Sequence, residues 1–319
     1  MAEATSTPPQ GSRRVLKVVL GWLVGATLLA LLLRQVHWPD VHGMAQAMPW
    51  WGWALAALLW SGSFVCRAAR MREEWRWKRA VGWSVAMRLV LLHNAAVLLL
   101  PMRSGELGYP WLVKRVFGGN WHESLRSLMW LRIQDAVVLG ALACLLWPGL
   151  PLWWRLLCVL GLAAVFFMPQ RFWRWLLTRR HPLINRLRPW MHRRASGGGW
   201  WWSLGNWCLK IAVVMALLHT LTPAALELAW AGALRGALGG ELAALIPVQG
   251  PAGLGTYEAA VWSVSGVARE HAGLLAATAL LVHGFCLLVS LALALVWGLL
   301  GRWPAQAVAQ SRVHPSSTP

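Results

Sequence analysis

Long apolar stretches separated by short polar or basic segments dominate the chain. Windows at about 15–33, 49–66, 133–147, 152–168, 203–222 and 271–300 are each apolar over roughly the length that crosses a bilayer. In hydrocarbon every backbone N–H and C=O must find an internal partner, so these windows predict α-helices. Two further apolar stretches, about 81–101 and 224–247, end in a proline followed by a glycine-rich, charged turn. The first turn reads Pro101-Met102-Arg103-Ser104-Gly105-Glu106-Leu107-Gly108-Tyr109-Pro110, and the second runs from Pro247 to Glu258 through Gly250, Gly253 and Gly255. A helix broken at membrane depth is tolerated only where its backbone is buried in protein or lines a wet cavity. Both segments are therefore expected to be re-entrant hairpins, the alternative being plain loops between full spans.

The two hairpins predict an internal repeat. Glu106 and Glu258 lie 152 residues apart. A basic side chain follows each in the next span, Arg132 at 26 residues and His283 at 25. Polar turns, Trp121-His122-Glu123 and Arg269-Glu270-His271, come between them. Each half holds two spans, a hairpin and one more span. Three crossings is an odd number, so the second half should lie inverted relative to the first, as in transporter folds with broken helices. The expected fold is all-α: a polytopic bundle of about six full spans plus two re-entrant hairpins. A tail at 1–12, read as disordered, a single transmembrane domain at 13–300 (halves 13–147 and 152–300) and a tail at 301–319 complete the chain.

Composition supports a membrane setting. The 319 residues are 58% hydrophobic and only 13% charged, with a mean hydropathy of +0.49. That excludes an ordinary soluble enzyme, which carries about 25% charged residues, as well as a disordered chain. The formal charge of +19 would suggest nucleic acid, but placement argues against it. Seventeen of the 30 basic residues fall in three segments: Arg13 to Lys17, Arg67 to Arg79, and Arg171 to Arg194. These border apolar windows, as cytoplasmic flanks do. Both termini, residues 67–80 and the basic loop at about 169–202 are thus expected on the cytoplasmic side of a cell inner (plasma) membrane, facing anionic lipid.

Other signals are weaker. The five cysteines form no CxxC pair, so they predict small core residues rather than disulfides or zinc. Tryptophans cluster at window ends, the interfacial position. The twin-arginine-like start at Arg13-Arg14 lacks a cleavage site and reads as a retained first helix. Gly250 to Thr256 has P-loop spacing without the lysine, while Gly21-x-x-x-Gly25 and Gly236-x-x-x-Gly240 suit close helix packing. His93 and His219 show no ligand spacing, so no metal or other cofactor is expected.

Ionic side chains at membrane depth cost about 2.5–3.5 kcal/mol on insertion scales and so are paired or functional. Candidates are Arg103, Glu106, Arg132 and Asp135 in the first half, and Glu258 and His283 in the second. Arg132 and Asp135, three apart, can face each other on a helix. One reading pairs Glu106 with Arg132 and Glu258 with His283 to pin each hairpin. The other has Arg103 or Arg132 hold a lipid phosphate through a bidentate guanidinium. Arg88, Lys210, Arg235, Glu227 and Glu241 read as interfacial and able to snorkel.

These residues resemble a known family. Arg103-Ser104-Gly105-Glu106-Leu107, Leu131-Arg132-Ile133-Gln134-Asp135 and Pro247 through Glu258 look like the R-x-G-E-L, E-R-x-x-D and P-x-x-x-G-G-x-G-x-x-E elements of the lysylphosphatidylglycerol synthase transmembrane-region family. The likeness covers most of 13–300, including Arg67-Ala68-Ala69-Arg70. Leu131, Ala252 and His283 depart from it, standing where Glu, Gly and Arg are common. The resemblance implies a flippase-like membrane protein. It also leads one to expect that the aminoacyltransferase domain fused to some relatives is missing here. The candidate substrate-binding set is Arg103, Glu106, Arg132, Asp135, Gly253, Gly255, Glu258 and His283.

The expected function is lipid handling without catalysis: translocation of an anionic or glycosylated lipid between leaflets, with Glu106 and Glu258 gating or carrying protons. The rivals are an accessory subunit docking a separate lipid-modifying enzyme through the 169–202 loop, and an integral transferase using Glu73 or Glu74. Membrane lipids are the expected partners.

Overall fold

A computed structural model describes residues 38–76, 78–118, 120–167, 198–246 and 250–300, and side chains at 101–103, 165–167, 198 and 251 lie outside the description. The expected first span at 15–33, both tails, most of the basic 169–202 loop and Pro247 fall outside it as well. Among the described residues the structure is all-helical. The α-helices are α1 (Trp38–Ala47), α2 (Trp50–Trp75), α3 (Trp83–Leu99), α4 (Gly108–Phe117), α5 (Trp121–Leu146), α6 (Leu152–Phe167), α7 (Gly198–Leu221), α8 (Trp230–Ala243), α9 (Thr256–Ser265) and α10 (Ala272–Leu300). Short 3₁₀ segments, Pro101–Leu107 and Pro251–Gly253, precede α4 and α9.

Three described helices are long and apolar enough to cross a membrane: Trp121–Leu146, Gly199–Leu221 and Arg269–Leu300. Helix α2 has the length but continues well past its expected end at residue 66. Its last turns carry Arg67, Arg70 and Arg72. Arg70 is buried there, so it does not belong to an exposed cytoplasmic flank. The apolar run stops, yet the helix goes on, because Ala68, Ala69, Arg70 and Met71 still face the interior. Helix α5 starts twelve residues before its apolar window. Asn120 caps it, its side chain accepting from the Glu123 N–H at 2.8 Å while the Glu123 carboxylate accepts from the Asn120 N–H at 3.4 Å. Helix α6 has 16 residues, about 24 Å of rise, less than a hydrocarbon core of about 30 Å.

Each proline-glycine segment forms a helix–turn–helix, α3 to α4 and α8 to α9. The first bends because Leu100 is extended (φ −98°, ψ 134°) before Pro101. Gly105 in this turn abuts the Ala96 backbone, where a Cβ would collide. Helices α8 and α9 run antiparallel and very close: Gly232 faces Ser265, Gly236 faces Val261, Gly239 faces Ala260 and Val264, and Gly240 faces the Tyr257 ring. A Cβ on Gly239 would lie 2.6 Å from Val264 Cγ2, and one on Gly240 would lie 2.7 Å from Tyr257. The small-residue face read at Gly236-x-x-x-Gly240 is thus a packing seam.

The packing between halves is reciprocal. Helices α2 and α7 pair along their length. The first arm of each turn packs on the last helix of the other half, α3 on α10 and α8 on α5. The two 3₁₀ turns touch each other. The cysteines are all free, but only Cys286 is buried and Cys208 is exposed. Reading them all as core residues is corrected: a helix facing a bilayer can leave an apolar side chain outside the protein at little cost. Many clustered tryptophans, including Trp50, Trp51, Trp153, Trp201 and Trp202, are exposed at helix ends, whereas Trp60, Trp75 and Trp207 are core.

Two outcomes follow from the seam and the turn. Gly239→Val, which must force α8 from α9, is expected to lower stability by about 1–3 kcal/mol, read from thermal unfolding in detergent. Ala252 has φ 54°, a left-handed conformation costing an L-residue about 1–2 kcal/mol. Ala252→Gly should therefore raise the midpoint in the same assay.

Candidate functional site

The site assembles around one carboxylate. Asp135 on α5 is buried, and Arg70 on α2 donates to it through both terminal nitrogens, Nη1 to Oδ1 at 2.7 Å and Nη2 to Oδ2 at 3.1 Å. Ser203 Oγ and Trp207 Nε1, both on α7, donate to Oδ1 at 3.2 and 3.1 Å. Arg132 Nη1 stands 3.7 Å from Oδ2, the face-to-face placement expected of residues three apart. One carboxylate thereby joins α2, α5 and α7.

The two anticipated hairpin pairs are present. Arg132 Nη2 donates to Glu106 Oε1 at 2.5 Å and Nε to Oε2 at 3.3 Å, tying the first turn to α5. His93 Nε2 lies 3.7 Å from the same carboxylate. In the second half, His283 Nδ1 on α10 lies 2.8 Å from Glu258 Oε1, and Glu258 Oε2 accepts from the Gly255 N–H at 2.6 Å. Gly253 and Gly255 have φ of 83° and 85°, so these glycines let the turn aim its amides inward. Tyr257 stacks on His283 at 4.2 Å between ring centroids. Tyr109 anchors α4 similarly, accepting from Trp75 Nε1 at 3.2 Å and sharing a 2.9 Å hydrogen bond with Ser127.

A cavity of about 160 Å³ runs between these pairs, comparable to an interior cavity that takes a benzene-sized guest. Arg132, Asp135, Gly253 and His283 of the anticipated set line it, while Glu106, Gly255 and Glu258 sit behind as partners or turn residues. The side chain of Arg103 lies outside the description. A second cavity of about 30 Å³ shares Arg67, Arg132 and Asp135 with the first.

Several lining residues were not singled out as candidates. Arg67, read as a cytoplasmic flank, lines both cavities; its Nη1 donates to Asn94 Oδ1 at 2.9 Å, and its guanidinium lies 5.5 Å from the Phe64 ring centroid. Among the described residues it has no carboxylate within ion-pair distance, unlike Arg70, Arg132 and Lys210. Lys210 and Glu241, read as snorkelling, form a pair at 2.7 Å, with Glu241 only 2% exposed. The Asn206 amide is buried against the cavity, and its Oδ1 has no hydrogen-bond partner among the described residues. The motif Arg67-Ala68-Ala69-Arg70 was the available signal: arginines three apart share a helix face.

Fold and site define a helical membrane protein with an ion-paired polar cavity inside its bundle. The chain belongs to the lysylphosphatidylglycerol synthase TM region family, which matches residues 16–309. This makes it a membrane protein of lipid metabolism or transport. No curated protein and no solved structure matches it.

Removing one partner of a buried ion pair costs about 3–5 kcal/mol, because the remaining charge is left uncompensated. Asp135→Asn, which strands Arg70, should thus unfold at far lower temperature than the wild type. Glu106→Gln should cost less, since Glu106 and Arg132 are partly exposed at 19% and 27%. Paired thermal scans in one detergent check the order.

Proposed function

We propose that the protein moves an amphiphilic lipid with an anionic headgroup, plain or glycosylated, between the leaflets of an inner membrane, and that it forms and breaks no covalent bonds. The observation that carries this reading is Arg67, a guanidinium on the cavity wall beside Arg132 with no acidic partner among the described residues. Four carboxylates around the cavity already have basic partners: Asp135, Glu106, Glu241 and Glu258. Among the described residues lining the cavity, Arg67 is the cation left over, and a planar fork of donors suits a phosphate. Arg132 lies ready to leave Glu106 for the same phosphate.

The reciprocal packing of α3 on α10 and α8 on α5, with turns that meet, supports two re-entrant hairpins in an inverted repeat. In this reading the acyl chains stay in lipid while the headgroup passes the meeting point of the turns. Glu106 and Glu258 gate the path by exchanging partners. The basic flanks support a topology with both termini and the central loop in the cytoplasm.

Leaflet transfer of a labelled phosphatidylglycerol in reconstituted vesicles tests the proposal. Arg67→Ala is expected to slow transfer by about tenfold or more, with Arg67→Lys intermediate because it keeps charge but loses the fork. Glu258→Gln, which keeps an oxygen for the Gly255 N–H, should arrest it, with a thermal scan of the same sample separating lost transfer from lost folding. Wild-type transfer in Arg67→Ala would refute the assignment.

A further inference from the structure

One wall of the cavity has the makings of an ammonium site that the chain itself fills. Lys210 Nζ lies 4.8 Å from the Trp60 ring centroid, 4.9 Å from that of Trp207 and 2.7 Å from Glu241 Oε2. Both indoles are held in place: Trp60 Nε1 donates to Ser290 Oγ at 3.0 Å and Trp207 Nε1 to Asp135 Oδ1 at 3.1 Å. Glu241 is fully buried on the glycine-packed helix α8. Two aromatic faces and a carboxylate converging on one point make the arrangement that recognises an organic cation.

We infer that Lys210 is a specificity-determining residue: by occupying this aromatic–carboxylate cage, it makes the cavity refuse headgroups that carry a free amine and accept anionic headgroups that lack one. The inference rests on the reading that the cavity receives a lipid headgroup. An incoming ammonium meets the Lys210 charge and finds Glu241 already neutralised, and like charges in a low-dielectric cleft repel strongly. A phosphate finds Arg67 unopposed. The Asn206 carbonyl oxygen, buried against the cavity without a partner, asks for a hydrogen-bond donor, which a hydroxyl of an uncharged headgroup tail supplies.

The full chain in nanodiscs of equimolar phosphatidylglycerol and phosphatidylethanolamine, followed by native mass spectrometry of retained lipid, tests this. The wild type should retain phosphatidylglycerol. Lys210→Met, which takes the charge out of the cage and leaves Glu241 without its cation, should shift the retained ratio toward phosphatidylethanolamine by roughly tenfold. The double variant Lys210→Met/Glu241→Gln, lacking the carboxylate, should lose that shift. An unchanged ratio in Lys210→Met, or a wild type that prefers phosphatidylethanolamine, overturns the inference. If Lys210→Met does not fold, Glu241→Gln alone decides: freeing the Lys210 charge should raise phosphatidylglycerol retention, and no rise overturns it. Arg67→Ala separates the two readings. Loss of bound lipid there with an insensitive Lys210→Met sinks only the selectivity, whereas full retention in Arg67→Ala sinks the headgroup site itself.

Discussion

The buried ion pair between Arg70 and Asp135 is the contact on which the rest of the arrangement depends. Its two side chains are 7% and 6% exposed, so neither charge is solvated by water and each needs the other. Asp135 Oδ1 also accepts from Ser203 and Trp207 in the second half of the chain. The halves are therefore locked in register by hydrogen bonds whose geometry tolerates little sliding. Trp207, fixed in this way, also forms part of the wall against Lys210. Arg132, one turn of helix from Asp135, is held near the same acid while bonded to Glu106 on the turn. A structural pair and a candidate ligand-binding pair thus share one short stretch of α5.

The broken helices convert this rigidity into a cavity. At Gly105 the first turn comes against the Ala96 backbone, so the turn folds back on its own first arm. In the second, positive φ at Ala252, Gly253 and Gly255 reverses the chain within a few residues, and the Glu258 carboxylate then takes the Gly255 amide. The glycine seam between α8 and α9 draws those helices together and carries Glu241 into the interior. Between the two turns, space remains that neither side chains nor backbone fill. Among the described residues the carboxylates around it have basic partners, while Arg67 has no carboxylate within ion-pair distance. A cation so placed invites an anion, and that imbalance links the packing to the function proposed.

Much of this was legible in the chain, and the reasons differ by feature. Apolar stretches near twenty residues long, bordered by clustered basic residues, point to membrane helices, since backbone groups in lipid must bond within a helix or a closed barrel and barrel strands are only about half that length. Proline and glycine in the turns, and the spacing of Glu106 with Arg132 and of Glu258 with His283, are local features that a sequence displays directly. Helix α2 was less legible. Its apolar run ends near residue 66, and nothing local says that the arginines beyond it turn inward. Their acid partner stands 65 positions away on another helix.

The sequence by itself determined the membrane setting, the two broken helices and the matched ionic residues, because periodicity, helix breaking and desolvation act over short stretches of chain. Only the tertiary structure decided which charges neutralise one another, which one is left over, and that Lys210 sits between two indoles instead of reaching for the interface. A charged side chain at a given position may snorkel, pair or bind a ligand at similar local cost. The choice is made by donors and acceptors that packing brings from far along the chain, and those distances are not written in any single segment.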